Sequence, residues 1–70
     1  MKRAKNIDQL NGERLAMDPA TAAVAVDMSL SYIRGQIREG KIRVTRLGRR
    51  VLIRREELTR FLDANTESAR

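Results

Sequence analysis

The chain has 70 residues, 29 of them apolar and eight of those alanine, so one small domain at most can form, around about twenty larger apolar side chains. It has no cysteine and no histidine, which excludes a disulfide, a Ser-His or Cys-His nucleophile pair, and any zinc site not built from carboxylates. Fifteen Lys and Arg against nine Asp and Glu give a net charge of +6, and the longest apolar run, residues 22–26, is far too short for a membrane span or a signal-peptide core.

Residues 1–14 read as a basic N-terminal arm with a break at Asn11-Gly12. Ile7 and Leu10 stand three apart, which suits a short helix or turn. With Lys2, Arg3 and Lys5, this arm is a candidate for touching a neighbouring protein or a nucleic-acid backbone; a plain basic tail is the other reading. Asp18-Pro19 is the first clear helix start, because Asp is a preferred N-cap and proline at the first helical position loses only an N–H that would be unpaired anyway. The alanines of residues 20–26 then make a short helix that a second one can approach closely, and Asp27 ends it, Asp being one of the few residues besides glycine that accept a left-handed backbone. Ser29 is the next N-cap candidate. Leu30, Ile33 and Ile37 form one apolar stripe behind it, and Gly40 closes this second helix with Arg38 in its last turn. Two short helices separated by about three residues predict a helix-turn-helix.

Residues 42–47 alternate in polarity and are followed by Gly48-Arg49 and then Arg50-Val51-Leu52-Ile53. A two-residue type II′ turn at Gly48-Arg49 pairs Leu47 with Arg50, Arg46 with Val51 and Val44 with Ile53. Ile42, Val44, Val51 and Ile53 then share the face turned to the helices, and arginines crowd the hairpin tip. Arg54 and Arg55 lead into a third helix with Glu56 and Glu57 in its first turn, where the helix dipole favours carboxylates, and Leu58, Phe61 and Leu62 are expected to close the core. Residues 64–70 read as a flexible C-terminal tail, leaving residues 15–63 as the domain. The expected fold class is α+β and mostly helical: a winged helix-turn-helix of two short helices, a β-hairpin wing and a C-terminal helix.

The charge is concentrated rather than spread. Residues 34–55 carry nine positive side chains, eight of them Arg, against the single acid Glu39, a local balance of +8. Guanidinium forks suit phosphates and guanine edges, whereas a merely solubilising surface mixes both signs and uses more Lys. Basic membrane helices pair their charge with exposed aromatic or leucine side chains, and this chain has one Phe, one Tyr and no Trp. The favoured partner is therefore double-stranded DNA, with no membrane, no metal, no cofactor and no catalysis expected. With Ile33 and Ile37 turned inward, the DNA-contact candidates of the second helix are Ser29, Ser31, Tyr32, Arg34, Gln36 and Arg38. Those of the wing are Lys41, Arg43, Arg46, Arg49 and Arg50, and Arg54 and Arg55 are candidate phosphate contacts. Tyr32 reads either as a DNA contact or as cover for a core edge. Gly35, which costs roughly 1 kcal/mol against Ala inside a helix, reads either as a point of close approach or as simple tolerance.

The runs I-R-E-G-K-I at 37–42, R-L-G-R-R-V at 46–51 and I-R-R-E-E-L at 53–58, with F-L at 61–62, resemble the excisionase-type branch of the MerR-like winged helix-turn-helix domains over roughly residues 15–63. Within it the short basic chain is similar to the phage excisionases, or recombination directionality factors, such as those of mycobacteriophages. The resemblance implies a protein that binds repeated sites near a phage attachment site, bends the DNA, and directs a tyrosine recombinase (integrase) towards excision. The partners it implies are DNA, further copies of the chain on adjacent sites, the integrase and a host DNA-bending protein, in the cytoplasm of a bacterial host. Three positions depart from the family pattern: Asp27 stands where glycine is usual, Gly35 where a long side chain is usual, and Gln36 where leucine is common. Full MerR regulators continue into a dimerising helix and an effector domain, and with about seven residues after Leu62 and Asp63 neither is expected here. A small winged-helix transcriptional regulator is the alternative reading, and a DNA-packaging or protein-interaction adaptor that uses the winged helix as a scaffold is a third. The recombinase itself is excluded, since its Arg-His-Arg-Tyr type of site needs a histidine.

Overall fold

The computed structural model describes residues 14–67, and within them the helix signals fall where the capping chemistry puts them. Asp18 is extended (φ −75°, ψ 167°) and its carboxylate accepts from the Thr21 N–H at 2.8 Å, opening α1 (Pro19–Ala25) with proline in the first turn. Asp27 follows at φ 60°, the single non-glycine residue with positive φ among the described residues, as the turn between the helices requires. Ser29 caps α2 (Leu30–Arg38) through its hydroxyl oxygen, which accepts from the Tyr32 N–H at 3.0 Å, and Gly40 ends that helix at φ 79°.

The wing is β2 (Thr45–Leu47) and β3 (Arg50–Arg54), antiparallel, with Leu47 opposite Arg50 and Arg46 opposite Val51. Gly48 has φ 61° while Arg49 keeps a negative φ, the sign pattern of the type II′ turn expected from Gly-Arg. α3 (Arg55–Ala64) follows β3 without a loop, and the Asn65 side chain and the Thr66 hydroxyl donate to the carbonyls of Phe61 and Leu62 at its end. A short strand that the sequence pattern did not reveal, β1 (Ala16–Met17), pairs antiparallel with β3 through Ala16–Arg54 and Met17–Ile53. The sheet order is therefore β1-β3-β2, with β3 central, and the Arg55 N–H donates to the Leu15 carbonyl at 3.0 Å beside it. Among the described residues the architecture is three helices and a three-stranded antiparallel sheet, the α+β winged helix-turn-helix.

The core is Met17, Ala22, Ala23, Ile33, Ile42, Ile53, Leu58 and Phe61, with Val26, Tyr32, Ile37 and Val44 packed at its margin. Ala22 and Ala23 are small enough to let α2 lie against α1. Two residues differ from the expected core and a third from its expected strand. Ile37 is half-buried rather than central, and Leu62 is 47% exposed, because the stripe of α3 that faces the sheet is Leu58 and Phe61. Ile42 is buried but lies outside the strand: the N–H groups of Lys41 and Ile42 donate to the Gln36 carbonyl, and that of Arg43 donates to Glu57, so the ladder starts only at Thr45. The expected N-terminal arm, with its Ile7–Leu10 turn, and the last residues of the expected tail lie outside the described residues.

Glu57 links α3 to the start of the wing. Its carboxylate accepts from the Arg43 N–H at 2.9 Å and from Arg60 Nε at 3.0 Å, and Arg60 Nη2 donates in turn to the Lys41 carbonyl at 2.9 Å. The Arg60 hydrogen bond, aided by the Arg43 N–H, holds the Glu57 carboxyl below its ordinary 4.5 although burial pushes it up. Replacing Glu57 with Ala should destabilise the fold by about 0.5–1.5 kcal/mol in urea unfolding, since it removes the hydrogen bonds from the Arg43 N–H and Arg60. A carboxyl with a depressed folded pKa contributes its full stabilisation above its unfolded value and loses it as pH falls through the folded one. Wild-type stability should thus decline below pH 4.5 and that of Glu57→Ala should decline less over the same range. Ile33, Ile42 and Ile53 are the largest fully buried side chains, one each from α2, the connector and β3. Ile33→Ala should cost about 2–5 kcal/mol, enough to unfold a domain of this size in a circular-dichroism melt.

Candidate nucleic-acid interface

The inward anchoring of α2 by Ile33 sets which of its side chains face out. Ser31, Arg34 and Arg38 are exposed, and Gln36 is half-buried. On the wing, cross-strand partners share a face. Arg46 therefore lies on the same side as Val51, towards α2, and Leu47 and Arg50 lie on the other.

These two elements enclose a cleft of about 490 Å³. Arg34 of α2 meets Arg46, Arg49 and Arg50 of the wing there, over a floor of Ile37 and Val51, with Asp18 and Pro19 at the rim. Four guanidinium groups against one carboxylate leave the cleft at +3. Asp18 stays ionised and offsets one of the four cations: the Thr21 N–H hydrogen bond of the α1 cap is the largest cause holding it below its ordinary 3.8, with the Arg50 and Arg14 charges adding to it. Four like charges kept together on exposed side chains, over a partly apolar floor, are complementary to a polyanion.

The other sequence candidates are distributed away from this cleft. Ser29 is exposed, and its hydroxyl oxygen is engaged in the α2 cap. The Tyr32 ring packs at the core margin, 6.5 Å from the Phe61 ring and tilted by 59°, so the ring covers a core edge. Lys41 lies 3.7 Å from Glu39, and Lys41 and Arg43 border a separate hollow of about 300 Å³ with Arg60 at the far end of α3. Arg54 pairs with Glu56 at 3.6 Å. Arg55 lines an apolar groove of about 450 Å³ between α1 and α3, with Arg14 at the same groove. Gly35 offers no tight approach within the chain: a Cβ there would meet only the tip of Arg38, at 3.6 Å.

Two residues near this surface escaped the sequence reading. Asp18 was legible as a cap but not as the acid at the rim of a basic cleft, which depends on α1 and the wing meeting in space. Leu47 was legible as a strand residue, yet it stands 60% exposed beside the tip.

A family model described as a helix-turn-helix domain matches residues 16–66, the whole span from β1 to just beyond α3. No curated protein and no solved structure matches the chain. No helix among the described residues is long and apolar enough to cross a membrane.

Arg49 and Arg50 are exposed, so changing both to Ala should leave the melt within about 0.5 kcal/mol of wild type. Binding to duplex DNA, followed by fluorescence anisotropy across a salt series, should weaken and lose about one unit of slope per phosphate contact removed. Full affinity with an unchanged slope would take the wing out of the interface.

Proposed function

The chain belongs to this helix-turn-helix domain family of DNA-binding modules, and from that premise we propose that it is a DNA-bending accessory factor of site-specific recombination, an excisionase or recombination directionality factor. The observation that carries the reading is the cleft in which Arg34 of the second helix and Arg46, Arg49 and Arg50 of the wing converge. α2 enters the major groove, where Arg34 can fork onto guanine O6 and N7 and Ser31 can bond a base edge or phosphate. The wing lies over the adjacent minor groove, whose negative potential attracts its arginines. Ser29, Tyr32, Gln36 and Arg38 are the further contacts assigned to α2 in this reading, outside the cleft, and Lys41, Arg43, Arg54 and Arg55 strengthen the field that steers DNA in.

The recombination role is supported by the excisionase-like runs at 37–42, 46–51 and 53–58 and by the occurrence of this domain in excisionase-like proteins. One module of this size reads only a few base pairs, so specificity has to come from several copies on repeated sites. Bending 20–30 bp by 40–90° costs about 1–6 kcal/mol, which contacts accumulated along the duplex can supply. An integrase and a host bending protein are the partners such an assembly serves. The alternative is a transcriptional regulator with the same domain.

Gel-shift and circular-permutation assays on attachment-site DNA from the genome that encodes the chain distinguish the two. Stepwise, cooperative complexes whose mobility depends on the position of the site are the expected result. One tight complex of a twofold dimer on a palindrome, without bending, would replace the recombination reading with the regulator.

A further inference from the structure

The wing carries an apolar side chain where its other exposed side chains are charged. Leu47 ends β2 immediately before the Gly48-Arg49 turn and is 60% exposed, and Arg46, Arg49 and Arg50 around it are exposed as well. Of the other large exposed apolar side chains, Val24 and Leu62 border the groove between α1 and α3. Leu47 points instead to the face of the wing opposite Arg46 and Val51, and neither the core nor its margin includes it.

We propose that Leu47 is an apolar wedge that enters the minor groove between two base pairs, partly unstacks them, and so produces the kink. The proposal rests on the reading above that the wing meets the minor groove, and it names the side chain that does the bending. Proteins that bend DNA from the minor groove insert leucine, isoleucine, methionine or similar side chains between base steps, kinking the duplex by about 20–90°. Pyrimidine–purine steps open most easily and are the expected point of entry.

Two features of the wing suit that action. The mount is stiff: a two-residue turn closes the hairpin, and β3, which pairs with Leu47 through Arg50, runs back into the core at the fully buried Ile53. The charge is also placed around the leucine, since Arg46 precedes Leu47 in its strand and Arg50 is its cross-strand partner. Guanidinium forks suit the phosphates that border the opened minor groove and can hold them while the step is unstacked.

The test uses the full chain and a duplex it selects from a random-sequence library, with 2-aminopurine placed in turn at each pyrimidine–purine step. Wild type should bend this duplex in circular permutation and raise the fluorescence of one 2-aminopurine through unstacking. Leu47→Ala should melt at the wild-type temperature and keep the wild-type salt slope, because every cation remains. It should lose the bend and the fluorescence rise, and bind about tenfold more weakly, the worth of one buried leucine side chain. Leu47→Met should restore both signals. Wild-type bending and unstacking by Leu47→Ala would overturn the wedge, as would a lowered melting temperature, which would place the leucine in the fold. Salt-dependent binding by wild type without bend or unstacking would overturn it while leaving the DNA reading intact. No binding of wild type to any duplex would remove both.

Discussion

Ile33, Ile42 and Ile53 meet in the centre of the domain, and the relative placement of α2 and the wing depends on that meeting. Each comes from a different part of the chain: the second helix, the connector that leaves it, and the central strand. Close packing allows few arrangements of three branched side chains against Ala22 and Ala23, so the helix cannot rotate without opening a void. That restriction is what brings Arg34 to the same cleft as Arg46, Arg49 and Arg50. Left to electrostatics alone, four guanidinium groups would move apart. A small apolar core holds their backbones together and leaves the charged ends in water.

The polar contacts leave most of this charge uncancelled. Asp18 offsets one of the four cations that line the cleft with it, and its carboxylate also caps the start of α1. Glu57 and Arg60 form their ion pair on the far side of the wing, where they tie α3 to the connector through Arg43 and Lys41. The acids thus serve the fold and the cleft stays basic. The exposed pairs Lys41–Glu39 and Arg54–Glu56 are of the kind that contributes little to stability, and they compensate cations that lie outside the cleft.

Recombination control and transcriptional regulation make different physical demands on such a surface. A repressor needs affinity for one site, which a twofold pair of identical modules supplies. A directionality factor has to reshape a duplex, which takes repeated contacts and some means of weakening base stacking at a chosen step. On the proposed reading, an arginine-rich hairpin with an exposed leucine beside its tip offers both a phosphate contact and an apolar wedge on one element.

The sequence by itself determined the elements that obey local rules. Asp18-Pro19, Asp27, Ser29, Gly40 and Gly48 each dictate a cap or a turn through their own backbone and side-chain chemistry, and the hairpin register follows from the turn. It also determined that arginine would crowd residues 34–55. The tertiary structure alone decided what depends on distant partners. Two residues, Ala16 and Met17, are too few for a periodicity and form β1 only because β3 presents a free edge beside them. Leu62 has the same place in the sequence pattern as Phe61, and the angle at which α3 crosses the sheet buries one and exposes the other. Of the thirteen basic and polar candidates, four gather in the cleft, because only folding sets which of many exposed arginines share a face.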